Sequence, residues 1–325
     1  MTSLTESPHV IEASGDEARA WVAAHWNPLR QAVTERGAVV VSGLGLDRPD
    51  TAVHFVRSLP VTLLTDREPF APRTKYGEGV YSSPRWPSDQ PMCMHHELSY
   101  AMEFPGLIVL VCRTATATGG ATGLADATSV LAALPADLVD RFERTGWLLE
   151  RSYNGEIGVS TTDAFGTTDR VAITAYCRAN GIDVDWAQDG TLHTRQHRPA
   201  VVRHPVTGVR CWFNQIAFFN EWTMTPEVRE YLVEVYGPKR LPFTTRFGDG
   251  TPISSDIVTT INNVYDAHTV SRPWQAGDLM LIDNVRMAHS TEPHSGSRDV
   301  IVGMAEPVRL AGCLPDPAAW PSLQP

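Results

Sequence analysis

Two periods of hydrophobic recurrence alternate along the chain, and together they predict a β framework with helices flanking it and inserted into it. Ala20, Val22, Ala23, Leu29 and Val33 return at near-helical intervals within 14–36, behind the start signal Ser14-Gly15-Asp16-Glu17 and ahead of a stop at Gly37. Ala38-Val39-Val40-Val41 then reads as a β-branched strand, and 47–59 as a second helix ended by Pro60. Gly106-Leu107-Ile108-Val109-Leu110-Val111-Cys112 is an unbroken apolar run of strand length, suited to burial on both faces. One helix is expected over 131–144, a strand at 147–149, and an insertion over 155–190 that holds a helix near 168–180. Alternation resumes over 191–202, and the turn His204-Pro205-Val206-Thr207-Gly208 predicts a hairpin into 209–213. Helices near 226–235 and 255–268 precede strands at 279–283 and 298–304, and the Pro-rich stretch 314–325 reads as irregular. Many short strands with helices around them fit a mainly β double-sheet jelly roll, taken as a single domain over 1–325.

Composition narrows the partners. A formal charge of -10 over 325 residues argues against nucleic acid and for a small metabolite, or for a carrier that presents one. The first eight residues hold no basic and apolar leader, and no window approaches the ~20 apolar residues of a membrane helix, so a cytoplasmic protein is expected. Five scattered cysteines (Cys93, Cys112, Cys177, Cys211, Cys313) form no CxxC pair and read as reduced thiols.

Chemistry concentrates at Met94-His95-His96-Glu97-Leu98-Ser99-Tyr100. On an extended backbone His95 and Glu97 would face the same side, because strand side chains alternate with period two. A third donor, His289, lies just past the apolar run Leu279-Met280-Leu281-Ile282. Two histidines and one carboxylate on one face would hold Fe(II) and leave positions open for a co-substrate and O₂. A zinc site, hydrolytic or structural, and a ligand-binding protein without catalysis remain as alternatives. Arg298, nine residues beyond His289, could clamp a dicarboxylate bidentately, and the alternative for it is a strand-edge ion pair with Asp299 or Glu306. Thr122 offers a hydroxyl in the glycine-rich turn Gly119-Gly120-Ala121-Thr122. The irregular stretch 67–91, with Tyr76, Tyr81, Ser82, Ser83 and Trp86, reads as a segment covering the substrate. His193, His197, His204 and His268 have neither partner nor spacing for the same chemistry.

These residues resemble the taurine dioxygenase and clavaminate synthase-like superfamily of Fe(II)- and 2-oxoglutarate-dependent oxygenases, and within it the natural-product branch of syringomycin aspartyl β-hydroxylase-like proteins. His95-His96-Glu97-Leu98-Ser99-Tyr100 matches H-N-E-x-S-Y, with His96 where Asn is usual. Gly119 to Asp126 matches G-G-x-T-x-x-x-D, Trp212-Phe213-Asn214 matches W-F-N, and Gly277 to His289 matches G-D-x-x-x-x-D-N-x-x-x-x-H. The motifs stand in the family's order across about 35–305. Ser290-Thr291-Glu292 departs from it, lacking the Arg that many relatives carry two residues past the distal histidine. The resemblance implies a double-stranded β-helix core, His95, Glu97 and His289 as iron ligands, and Thr122 and Arg298 as ligands of the distal carboxylate of 2-oxoglutarate. It implies 2-oxoglutarate decarboxylation to succinate and CO₂ coupled to attack on an unactivated C–H bond. A carboxylate at position 97 favours hydroxylation, or the related desaturation, epoxidation or cyclisation, over halogenation. The substrate expected is an amino acid, free or on a peptidyl carrier protein, or a peptide-like intermediate. Arg73, Tyr81, Ser83, Asn214, Gln215 and Arg286 are the candidate substrate contacts.

Overall fold

The computed structural model describes residues 8–13, 17–154, 158–316 and 320. Its largest sheet runs His9–Glu12, Ala38–Ser42, Leu279–Asp283, Glu103–Thr114, Asp299–Arg309, Val80–Ser82, Lys75–Gly77 in spatial order. The unbroken apolar runs are explained by what covers each face. Ile108, Leu110, Met280, Ile282, Val302 and Met304 point into a core shared with a smaller sheet. Their neighbours Leu107, Val109, Val111, Leu279, Leu281 and Ile301 point the other way, onto Val22, Leu29 and Val33 of the helix Ala18–Arg36 and Phe55 and Val56 of the helix Pro49–Ser58. With both faces dry, each such side chain contributes about 1.5–3 kcal/mol of burial. The smaller sheet, Thr269–Arg272, Thr122–Asp126, Met287–Thr291, Met92–His95, completes a jelly roll of two sheets.

A third sheet, Ile182–Trp186, Leu192–Arg198, Trp147–Tyr153, Phe243–Phe247, carries the predicted insertion and its helix Arg170–Ala179 over a separate core that includes Phe165, Ile173, Cys177 and Leu192. Several expectations are corrected. The helix read over 131–144 is two, Ala127–Ala133 and Ala136–Thr145, because Pro135 cannot continue the first. The irregular stretch 67–91 contains the edge strand Lys75–Gly77 and its neighbour Val80–Ser82, and the glycine-rich turn runs on into the strand Thr122–Asp126. The start signal at Ser14-Gly15-Asp16 lies outside the described residues, as does most of 314–325. All five cysteines are unpaired, and no helix among the described residues is long and apolar enough to cross a membrane.

Candidate metal centre

Two strands and one turn bring the three donors together. His95 ends the strand Met92–His95 and stands opposite His289 in the antiparallel strand Met287–Thr291. Cross-strand partners share a face, and here the ring centroids are 4.3 Å apart. Glu97 arrives differently from the period-two expectation. The strand stops at His95, and Glu97 sits in the turn that follows, where Leu98 takes a left-handed φ of 55°. What holds that turn is Asn284. Its Oδ1 accepts the Glu97 amide at 2.8 Å, and its Nδ2 donates to the Glu97 carbonyl at 2.9 Å and the Pro105 carbonyl at 2.8 Å.

The result places Glu97 Oε2 3.8 Å from His95 Nε2 and 3.7 Å from His289 Nε2. One ligand atom from each residue lies within 4.8 Å of the others, and all three residues are buried. Donors about 2.1 Å from a common ion on one octahedral face would stand about 3 Å apart, so the trio needs only a small contraction to close on a metal. Protonation suits it as well. His95 Nδ1 lies 2.9 Å from the Cys93 carbonyl, so Nδ1 carries the hydrogen and Nε2 turns its lone pair inward. Burial, with His95 adjacent, pushes the His289 imidazole down to about 4 and keeps it neutral.

Glu97 stays charged in spite of burial. Burial alone would raise its pKa, but the Arg73 guanidinium reverses this and holds it well below the ordinary carboxylate range. Arg73 Nη2 donates to Oε1 at 2.6 Å, which leaves Oε2 as the oxygen facing the imidazoles. His96 takes no part. It is fully buried, its Nδ1 lies 2.7 Å from the Asn284 carbonyl, its ring packs on Phe213, and burial pushes it down to about 3.

Arg298 and Thr122 meet beside the trio. Arg298 donates from Nε to the Gly120 carbonyl at 3.0 Å, from Nη1 to Ser83 Oγ at 3.3 Å, and from Nη2 to Thr122 Oγ1 at 3.5 Å. The ion-pair alternatives are taken elsewhere, since Asp299 bonds Arg113 and Glu306 bonds Arg30. Among the described residues Arg298 therefore has no carboxylate partner, although burial lowers its pKa. Thr122 Oγ1 also accepts from Trp274 Nε1 at 3.2 Å, so its own hydrogen remains free to donate. A half-buried guanidinium without a counter-ion next to such a hydroxyl could receive a carboxylate.

A small cavity is lined by His95, Glu97, His289, Thr122, Arg298 and Arg73. Next to it a groove of about 330 Å³ shares Ser83, Met92 and Arg298 and runs along 82–88. A larger groove of about 610 Å³ lies on the third sheet and touches none of the three donors, so chemistry and size disagree, and the donors decide. The candidate substrate residues divide. Arg73 and Ser83 line the small cavity. Tyr81 accepts the Asp66 amide at 2.8 Å, Asn214 bonds the Ala200 carbonyl and the Ile216 amide, and Gln215 accepts from Ser99 at 3.3 Å. Arg286 bonds Asp126 and the carbonyls of Thr34 and Glu35, tying the first helix to the sheet. None of these four lines the cavity. His204, read as lacking a partner, bonds Asp283 at 2.8 Å and is buried. Sequence reasoning passed over Phe70 and Phe218, whose rings lie 5.5 and 4.8 Å from His95. Phe218, in the run Ile216-Ala217-Phe218-Phe219, carries no signal separating a site wall from core.

A jelly roll that turns two imidazoles and a carboxylate into one cavity, with a guanidinium lacking a carboxylate partner alongside, fits the class of mononuclear iron oxygenases. The chain belongs to the taurine catabolism dioxygenase TauD, TfdA family, whose model matches residues 2–305. It is a 2-oxoglutarate-dependent dioxygenase that works with Fe(II), 2-oxoglutarate and O₂. It is similar to the dapdiamide synthesis protein DdaC of Enterobacter agglomerans, at 30% identity over 94% of this chain and 93% of that one. Among solved structures it is similar to a taurine dioxygenase from Burkholderia xenovorans, with 16% identity, a TM-score of 0.56 and coverage of 99% and 98%. PvcB from Pseudomonas aeruginosa gives 11% identity, a TM-score of 0.53 and coverage of 94% and 89%. At such identities the structural likeness shows the fold alone.

Proposed function

We propose that His95, Glu97 and His289 hold the Fe(II), that Arg298 and Thr122 hold the distal carboxylate of 2-oxoglutarate, and that the enzyme hydroxylates an unactivated C–H bond of an amino-acid-like small molecule. The observation that carries this is the convergence of three buried ligand atoms within 4.8 Å beside a guanidinium without a counter-ion. The bound iron, with 2-oxoglutarate and O₂, supplies the oxidising power, and succinate and CO₂ are released. The protein's own part is placement. His95 and His289 turn their Nε2 atoms toward Glu97, and Arg73 keeps Glu97 ionised and leaves Oε2 to face them. Arg298 and Thr122 fix the far end of the co-substrate, while Phe70 and Phe218 keep water from the His95 side.

A natural-product pathway is the setting proposed, supported by similarity to a dapdiamide synthesis protein. The substrate is taken to be free or borne on a peptidyl carrier, the enzyme cytoplasmic, and the whole chain one catalytic domain. Substrate contacts are assigned to Ser83 and Arg73, on the cavity wall. The test is anaerobic addition of Fe(II) and 2-oxoglutarate to the purified protein. A weak visible charge-transfer band, absent in His289→Ala, is expected, followed by amino-acid-stimulated succinate release in air. A folded protein that gives no band and no succinate, or one whose activity is indifferent to Arg298→Ala, contradicts the reading.

A further inference from the structure

The segment 64–74 has no helix or regular strand of its own, yet it delivers two groups to the metal centre. Phe70 packs edge-on to His95 with centroids 5.5 Å apart, and Arg73 donates to Glu97 Oε1 at 2.6 Å. Both ends of this strap are moored to the large sheet. The Leu64 amide donates to the Met304 carbonyl at 2.8 Å, and the Thr74 carbonyl accepts the Ser82 amide at 2.8 Å. Between them Tyr81 Oη accepts the Asp66 amide at 2.8 Å and the Pro72 carbonyl accepts the Arg85 amide at 2.9 Å, both from the large-sheet side, so the opposite side of the strap needs an anchor of its own.

That anchor is Glu68, 2% exposed. Its amide donates to the Ala164 carbonyl at 3.0 Å, and its carbonyl accepts from Tyr100 Oη at 2.7 Å and Arg151 Nη1 at 3.0 Å. Arg151 Nη2 takes the next carbonyl, Pro69, at 2.8 Å. Its carboxylate accepts from Tyr176 Oη at 3.0 Å and Gln196 Nε2 at 2.8 Å, so the third sheet and the inserted helix Arg170–Ala179 grip it. Two features of this residue are costly. A left-handed φ of 53° on a side chain with a Cβ costs about 1–2 kcal/mol, and glycine would avoid it. A buried carboxylate costs several kcal/mol unless it is bonded, and an apolar side chain would avoid that. The strained backbone and a carboxylate that needs those two bonds fall on one residue, five positions from the arginine that touches Glu97.

We propose that Glu68 is a positioning residue: by tying the 64–74 strap to the inserted sheet it fixes where Arg73 meets Glu97, and so the geometry of the metal's carboxylate ligand. This rests on Glu97 being that ligand, as proposed above. The insertion thereby becomes part of the metal site's support, although none of its side chains reaches the three donors.

The test uses the full-length protein freed of metal and titrated with Co(II), read by affinity and by its visible d–d spectrum. Glu68→Ala and Arg73→Ala should each weaken Co(II) by about tenfold or more and change the spectrum alike, and in the Arg73→Ala background Glu68→Ala should change affinity less than about twofold. Tyr176→Phe removes one bond to Glu68 and should move both readouts in the same direction by less, which keeps the test available if Glu68→Ala does not fold. A Glu68 or Tyr176 variant that lowers Tm while leaving Co(II) affinity and spectrum at wild-type values overturns the proposal, and so does full additivity with Arg73→Ala. Should the wild-type protein take up no Co(II), the metal reading itself fails. The strap is then judged by hydrogen exchange in the metal-free protein, where Tyr176→Phe must speed exchange of the Glu68 and Glu97 amides, and unchanged rates overturn it.

Discussion

Asn284 brackets Glu97, accepting its amide through Oδ1 at 2.8 Å and donating from Nδ2 to its carbonyl at 2.9 Å. A residue that meets both backbone groups of another sets that residue's whole orientation. The strand Met287–Thr291 that carries His289 follows shortly after Asn284, so one side chain couples the His95/Glu97 turn to that strand. Asn284→Ala would leave the buried Glu97 amide and the Glu97 and Pro105 carbonyls without this partner, at about 1–3 kcal/mol per orphaned group. The expected outcome is a loss on the order of 3 kcal/mol in urea unfolding of the metal-free protein, together with a metal affinity lower by about 10–100-fold. Asn284→Asp keeps the acceptor, loses the donor, and should not restore either measurement.

Arg298 makes the opposite prediction for stability. Its guanidinium has no carboxylate partner among the described residues, and burial disfavours its charge. Arg298→Gln should therefore leave the metal-free protein as stable as wild type or more so. With Arg298 as the proposed clamp, the same change would remove charge-assisted bonds to 2-oxoglutarate worth about 1.5–3 kcal/mol, so the KM for 2-oxoglutarate should rise about 10–100-fold. Thr122→Val removes one neutral hydroxyl and should raise that KM only several-fold, about 0.5–1.5 kcal/mol. Steady-state succinate assays beside thermal melts check both. A KM unchanged in Arg298→Gln would place the co-substrate elsewhere.

How legible this site was depends on where the information is stored. His95 and His289 stood out in the local pattern, His95 in the run Met94-His95-His96-Glu97 and His289 shortly past the apolar strand Leu279–Asp283, and the family motifs carry their spacing. The turn at Glu97 was not readable, since the left-handed Leu98 that shapes it is neither glycine nor asparagine and its restraint comes from Asn284, nearly two hundred positions away. Arg73 was singled out for its charge, but its engagement with Glu97 depends on a strap whose Glu68 anchor is held from segments up to 128 positions away. On the fold, the runs buried on both faces announced themselves, whereas His9–Glu12 and Thr269–Arg272 are short and half-exposed and have no face pattern to read. The break at Pro135 was visible in the residue itself and was overridden by apolar periodicity on both sides of it.

Gly303 tests the fold apart from the chemistry. In the strand Asp299–Arg309, between Glu103–Thr114 and Val80–Ser82, a Cβ there would lie 2.6 Å from Val56 Cγ1 and 3.3 Å from Val109 Cβ. A β-branched valine in a packed helix–sheet seam has little room to rotate. Gly303→Ala should destabilise by about 1–3 kcal/mol through overpacking. Restoration by the second change Val56→Ala, measured as a urea midpoint, identifies the clash. Failure of that rescue would mean the strand needs glycine for another reason.

Asp66 gives a pH dependence that can be worked through by sign. It faces Arg73 at 3.7 Å, its side chain is 6% exposed, and burial is the main reason its pKa rises from 3.8 to about 6, with Arg73 opposing. A carboxyl whose folded pKa lies above its unfolded one holds its proton longer in the folded protein. Between about pH 4 and 6 the folded state therefore binds more protons than the unfolded state, and stability falls as pH rises through that window. A rise of about two units corresponds to about 3 kcal/mol. Relative to wild type, Asp66→Asn should therefore gain about that much stability between pH 4 and pH 7.5, whatever the offset at pH 4. The measurement is urea unfolding of the metal-free wild-type and variant proteins at both values. Parallel profiles would show that the Arg73 pairing cancels the effect of burial at this carboxyl, and would remove Asp66 as a source of acid-side stability.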